Sequence, residues 1–164
     1  MKILIIGGGS YIGRNLADVL MTQGHSVYET HRRPMIDPDY FQISDIRNQE
    51  EVDKVMQAHQ YEVIYHLIGV GNLSAKTQKD YEYFYSVNVN GTKNVMNACI
   101  KYQKNLKKII FFSSTAAMGT TPPNSNEETP MNPQTPYQKS KYYMEHAIKN
   151  LYGNKLPWTI IRPT

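Results

Sequence analysis

The chain opens on a short apolar run, KILII at 2–6, which stops at three glycines and resumes as helical periodicity from Tyr11. A continuous apolar run of this length is what a strand buried on both faces carries. Glycines directly behind it permit a tight turn, and the helix that follows aims its unpaired N–H groups back toward that turn. This opening constrains the rest. Once a helix has crossed back over the sheet, the next strand lies parallel to the first, by a right-handed crossover.

The remaining sequence keeps to the alternation. SVYETH (26–31), YFQI (40–43), EVIYHLI (62–68), KKIIFFSS (107–114) and PWTIIRP (157–163) have strand composition. Helical patterns run over 11–24, over the polar segment 48–60, over 80–103 with a glycine inside it, and over 135–153. The last of these has Thr135 as N-cap, Pro136 in its first turn and Gly153 near its end. Strictly alternating β and α segments predict an α/β fold: a doubly wound parallel sheet in a three-layer α/β/α arrangement. One stretch, 118–136, is polar and proline-rich and predicts a long loop leaving the C-terminal end of the fifth strand. In open α/β sheets that edge is where ligands bind.

The 164 residues suffice for one domain with a core. No apolar run approaches the ~20 residues that span a membrane, and the four apolar residues before the first glycine are too few for a signal-peptide core. Cys99 is the single cysteine and has no partner for a disulfide, so a reducing, cytoplasmic setting is expected. The net charge of +4 is scattered over many segments and does not call for nucleic acid. His25, His59, His66 and His146 lack metal-ligand spacing, and no metal is expected.

Two motifs carry chemistry. In IIGGGSYIGRNL, Gly7, Gly8, Gly9 and Gly13 keep the turn tight, and the helix start offers N–H groups to a phosphate. A dinucleotide site of this kind expects an acid at the end of the second strand to grip the ribose hydroxyls. That position holds His31, followed by Arg32 and Arg33, with Glu29 earlier in the strand. Two guanidiniums there suit a 2′-phosphate, which favours NADP over NAD. In PYQKSK, Tyr137 and Lys141 lie one helical turn apart and share a face. An ammonium beside a phenol favours the phenolate, so the pair can act as a general acid/base. On its own the spacing equally suits a solvated Tyr and Lys.

With these motifs in order, the chain resembles the extended short-chain dehydrogenase/reductase family, also called the NAD-dependent epimerase/dehydratase family, along essentially its whole length. Gly7, Ser10 and Gly13 stand at its G-x-x-G-x-x-G positions, with serine for the middle glycine, a departure expected to tilt the cofactor or weaken its binding. SDIRNQEEV is similar to the family's Asp-hydrophobic pair, YHLIGVG to its H-L-A-A segment, SVNVNGTKNV to N-V-x-G-T, and FFSSTAAMG to S-S-x-x-V-Y-G, with Met118 replacing the usual tyrosine.

The resemblance implies a Rossmann fold and an epimerase, dehydratase or reductase acting on a hydroxyl or carbonyl of a nucleotide-sugar-like substrate. It implies Tyr137 as acid/base, Lys141 as its cationic partner and ribose ligand, Ser114 as the hydroxyl on the substrate oxygen, and Asn88 as the structural asparagine. Cofactor contacts would come from Gly7, Gly9, Ser10, Tyr11, Ile12, Gly13, His31, Arg32, Arg33, Asp45, Ile46, Leu67, Ile68 and Gly69, with Tyr137 and Lys141. Residues 1–164 would form the dinucleotide-binding domain. The family's substrate domain is expected beyond them, so this chain alone is expected to bind cofactor without useful turnover. Two other readings stand beside the enzyme. One is a non-catalytic NADP sensor of regulatory or RNA-binding type. The other is an interaction scaffold using the tyrosine-rich DYEYFYS helix. Part of that helix's apolar stripe of Tyr81, Phe84, Val87 and Val95 must cover the sheet, and any apolar remainder is a candidate homodimer face.

Overall fold

The computed structural model describes residues 1–31, 41–71 and 76–164. Among these residues six parallel strands form one sheet in the order β3-β2-β1-β4-β5-β6. They are β1 (Lys2–Ile6), β2 (Ser26–His31), β3 (Phe41–Ile43), β4 (Val63–His66), β5 (Lys108–Phe112) and β6 (Trp158–Ile161). The chain winds outward from β1 to β3, then returns to place β4 against β1 and winds the other way. Such a reversal opens a crevice beyond the C-terminal strand ends, between β1 and β4.

Alternate residues of each strand face opposite layers, and the core divides accordingly. Leu4, Ile6, Ile64, Ile109 and Phe111 face one layer, where they pack with α2 (Gln49–Ala58), α4 (Thr92–Tyr102) and α5 (Pro136–Tyr152) through Val55, Met56, Val95, Met96, Met144 and Ile148. Ile3, Ile5 and Val27 face the other layer and pack with Ala17 and Leu20 of α1 (Tyr11–Thr22). The apolar runs are buried on both sides, as a parallel sheet requires.

Two elements depart from the sequence reading, and the long loop takes a defined path. The expected single helix over 80–103 is α3 (Gln78–Phe84), then a π-helical segment Tyr85–Gly91, then α4. Such widened turns occur where one residue is held by contacts outside the helix. Here that residue is Asn88, fully buried and bonded across to the loop after β4. β5 stops at Phe112 rather than 114: Ser114 is extended and caps a 3₁₀ turn, Thr115–Met118, by accepting a bond from Ala116 N. The proline-rich 118–136 stretch is pinned back on its own start, where Asn132 N donates to Met118 O at 2.7 Å. Helix α5 follows the sequence reading closely, with Thr135 and Gln138 forming a reciprocal capping box and Pro136 in the first turn. Among the described residues no helix is long and apolar enough to cross a membrane.

Candidate active site

The glycine turn is built by contacts that leave no room for side chains. Gly7 has φ +94°, a conformation costly for other residues. A Cβ on Gly13 would meet the carbonyl oxygens of Gly7 and Gly8, so the helix start packs directly on the turn. Ser10 is the N-cap of α1: its Oγ accepts from Gly13 N at 3.0 Å, and its φ of −72° is open to any residue. Serine at this position therefore brings no backbone strain, and it occupies one of the free N–H groups of the helix start.

A cavity of about 280 Å³ lies over this turn. Gly7, Gly9 and Ser10 line it from the turn, Thr30 and His31 from the end of β2, Asp45 and Ile46 from the loop after β3, and Leu67, Ile68 and Gly69 from the end of β4. Of the other expected cofactor residues, Tyr11 and Ile12 begin α1 with exposed side chains and do not line the cavity, and Gly13 is buried beneath it. Arg32 and Arg33 lie outside the described residues. Asp45 is gripped by Arg47: both carboxylate oxygens accept from Nε at 3.0 Å, and Oδ1 also accepts from Arg47 N. That grip fixes the carboxylate's orientation on the cavity wall.

Behind the cavity, the loop after β4 crosses helix α5. Lys141 is 3 % exposed and sits under Gly69, where a Cβ would collide with its Nζ. Nζ donates to Phe112 O at 3.1 Å. Burial pulls its ammonium down to about 8, against a smaller opposing effect from Glu145. The Tyr137 ring lies against Gly71, again where a side chain would collide, and edge-on to Phe84. Asn88 holds this loop in place. Its Oδ1 accepts from Val70 N at 2.9 Å, and its Nδ2 donates to Val70 O and to Ser140 Oγ at 2.8 Å. Ser140 Oγ in turn donates to Tyr137 O at 2.8 Å. Loop, π segment and α5 are thereby locked around the Tyr137–Lys141 pair.

Tyr137 and Ser114 share the wall of a second, open trough of about 1100 Å³ with Met118, Glu145, Trp158 and Arg162. The Ser114 hydroxyl accepts from Ala116 N and has no acceptor for its own proton among the described residues. Arg162 forms a bidentate pair with the buried Glu145, at 2.9 and 2.7 Å, joining α5 to the end of β6. His66 is buried against Phe111 and bonded to Thr92 Oγ1 at 2.9 Å, and burial takes its imidazole down to about 3, so it is neutral.

Several contributors escaped the sequence reading. Gly71 and Val70 carry no chemical signature, and their role depends on α5, more than sixty residues away. Glu145 stands one turn beyond Lys141, and Arg162 just precedes Pro163, so their pairing had a signal in the helical spacing and the strand end. Glu29 stood out as an acid, but its place behind His31 emerges only from the fold.

Comparison with known proteins places the chain in a family. A profile of the NAD dependent epimerase/dehydratase family matches residues 3–164. An Escherichia coli O157:H7 N-acetyl-alpha-D-glucosaminyl-diphospho-ditrans,octacis-undecaprenol 4-epimerase is 31% identical over 170 residues, covering 99% of this chain and 48% of that protein. UDP-glucose 4-epimerase 2 of Oryza sativa subsp. japonica is 29% identical, covering 97% of this chain and 42% of its own length. The chain thus spans about half the length of these relatives. In fold it superposes on the Thermus thermophilus UDP-glucose 4-epimerase solved with NAD, with a TM-score of 0.86 and 24% identity, over 99% of this chain and 54% of that one. The fold is the Rossmann fold of those epimerases, and the chain belongs to the NAD dependent epimerase/dehydratase family.

Proposed function

We propose that the chain is the dinucleotide-binding part of a sugar 4-epimerase, acting on a hexose carried by a nucleoside or polyprenyl diphosphate. The observation that carries this reading is the enclosure of Tyr137 and Lys141 under the 69–71 loop, with Ser114 on the same trough wall as Tyr137. The names of the relatives support the substrate class.

The residues present fit a dinucleotide. The glycine turn leaves a side-chain-free floor at a helix start, where a pyrophosphate finds N–H donors. Asp45 and Ile46 sit where an adenine would lie, and Leu67–Gly69 lead toward Lys141. When bound, the nicotinamide supplies a hydride acceptor that returns what it takes, so an epimerase ends with no net redox change. The phenol oxygen of Tyr137 takes the proton of the sugar hydroxyl and gives it back once the ring has turned over. The Ser114 O–H donates to the same oxygen as it gains carbonyl character. Lys141, one helical turn from Tyr137 and with Nζ under Gly69, supplies the positive charge of the pair and would offer Nζ to the ribose. Asn88 and Ser140 hold the loop and helix in register. The open trough has room for a sugar to rotate. The lack of a carboxylate at the end of β2 supports NADP as well as NAD.

The test is calorimetric titration of the purified chain with both dinucleotides. It is paired with an assay of UDP-glucose to UDP-galactose conversion in the longest protein that carries this sequence. Dinucleotide binding at micromolar or tighter affinity is expected, with Tyr137→Phe abolishing turnover while leaving that affinity within a few-fold. Failure to bind either dinucleotide, or full activity of Tyr137→Phe, overturns the reading.

A further inference from the structure

Ser114 and the Tyr137–Lys141 pair come from different elements, and one side chain ties those elements together. The backbone after β6 brackets Ser114: Ser113 N donates to Ile161 O at 2.8 Å, and Thr115 N donates to Pro163 O at 3.0 Å. Arg162 lies between those two carbonyls. Its side chain reaches α5, where Nε and Nη2 each donate to one oxygen of Glu145, at 2.9 and 2.7 Å. The third nitrogen, Nη1, donates to Met118 Sδ at 3.1 Å, and Met118 closes the 3₁₀ turn that Ser114 caps. Glu145 follows Tyr137 and Lys141 in two four-residue steps along the same face of α5, and it is 1% exposed. Lys149 Nζ also stands 3.7 Å from that carboxylate, but it belongs to α5 as well and joins no second element. One guanidinium thus touches both the helix of the acid/base pair and the turn that begins at Ser114.

We infer that Arg162 is a positioning residue: clamped between Glu145 and Met118, it sets where the Ser114 hydroxyl stands relative to the phenol of Tyr137. The inference rests on the acid/base reading above. Ser114 Oγ accepts from Ala116 N, which leaves its proton for the substrate. That proton helps only if it meets the same oxygen as the phenol, and a misplacement of about 1 Å can cost about 10²-fold in rate. The Ser114 turn does not carry that precision alone, being a four-residue 3₁₀ piece on the wall of an open trough, with poorer hydrogen-bond geometry than an α-helix. The guanidinium supplies what the turn lacks. Two parallel bonds to a carboxylate fix an angle as well as a distance, and the buried Glu145 has no water to swing toward. Met118 stands where the resemblance implies a tyrosine, so the thioether contact is a feature of this chain and does not follow from the resemblance.

The experiment measures kcat and KM for UDP-glucose conversion, together with dinucleotide affinity, in the longest protein that carries this sequence. Two variants break the clamp in different ways. Arg162→Lys keeps both charges but replaces the planar fork with a single ammonium. Glu145→Met combined with Arg162→Met removes both charges at once, so no buried ion is left unpaired and the fold is kept. In each, kcat is expected to fall at least tenfold while KM and dinucleotide affinity stay within threefold. Ser114→Ala is then added to each background. In the otherwise unaltered protein it is expected to lower kcat about 10²-fold. In the two variants it is expected to cost no more than tenfold, so that all three proteins lacking the hydroxyl turn over at a similar rate. A pair that only stabilised the fold would not produce that coupling. Unchanged kcat in either variant, a full 10²-fold effect of Ser114→Ala in either, or a loss of dinucleotide affinity that tracks the loss of kcat overturns the positioning role and leaves the acid/base reading in place. Ser114→Ala without effect in the otherwise unaltered protein overturns the acid/base reading, and the positioning role with it.

Discussion

Replacing Lys141 with methionine is expected to make the free chain more stable at neutral pH. Lys141 is 3 % exposed, and burial lowers its ammonium to about 8 from the ordinary 10.5. A base with lowered proton affinity in the folded state is a cost wherever the folded chain must carry its charge. That cost is complete below pH 8 and fades as pH rises from 8 toward 10.5, where the unfolded chain still binds the proton and the folded chain does not. The descent corresponds to about 3 kcal/mol. Loss of the Nζ bond to Phe112 O returns roughly 1 kcal/mol of this, leaving a net gain of about 2 kcal/mol for Lys141→Met at pH 7. For a chain of this size that is a rise in Tm of about 4–8 °C. Thermal melts of both proteins at pH 7 and pH 10, without dinucleotide, measure it. The difference between the two proteins is the relevant quantity, because the other lysines and tyrosines titrate in both. The gap is expected to close by pH 10, and dinucleotide affinity is expected to fall in the variant even as its stability rises. Equal Tm values at pH 7, or a gap that is the same at both pH values, would refute the claim that Lys141 is held charged at a cost in the folded chain.

Glu145→Gln removes the carboxylate that pairs twice with Arg162 and leaves a guanidinium largely out of water, so urea unfolding should show a loss of about 3 kcal/mol; a loss under 1 kcal/mol would mean the pair is solvated in solution. Gly71→Ala puts a methyl into the Tyr137 ring, and turnover of the whole protein should drop at least tenfold while NAD affinity changes little; unchanged kcat would show that the loop yields. The rings of Tyr81, Tyr85, Tyr143 and Tyr142 follow one another at 5.7, 6.1 and 5.2 Å across α3, the π segment and α5, with Tyr143 41% exposed. If this face joins two copies, light scattering should give a dimer mass for the chain and a monomer for Tyr143→Glu, and a wild-type monomer at high concentration would rule the face out.

The fold was legible where one rule acted alone. β2 ends at the residues its composition marked, because SVYETH is bounded by Gly24 on one side and by Arg32 and Arg33 on the other. Helix α5 starts where Thr135, Pro136 and Gln138 together say it should, since a capping box and an N-terminal proline are local devices. The π segment was not legible. Nothing in YSVNVNG distinguishes a widened turn from an ordinary one, because the widening depends on Asn88 meeting the backbone of Val70, and that partner is defined only once β4 and α4 have packed.

The candidate site divides in the same way. Tyr137 and Lys141 were readable as a pair because four residues in a helix fix their relation, and Ser114 only through the resemblance of FFSSTAAMG to the S-S-x-x-V-Y-G strand end. What gives those side chains a defined setting is non-local: the glycines at 69 and 71 that let the loop close on them, and the Asn88–Ser140 bond that holds loop and helix together. Glycine read from sequence suggests freedom. At these two positions it instead permits contact so close that Tyr137 and Lys141 have little room to move. The polar spacing thus identified the candidate groups, whereas the residues without polar side chains determine how they are held. For that reason Gly71→Ala is a sharper probe of the arrangement than removal of any single hydrogen bond: it removes no polar group and displaces the Tyr137 ring through fit alone.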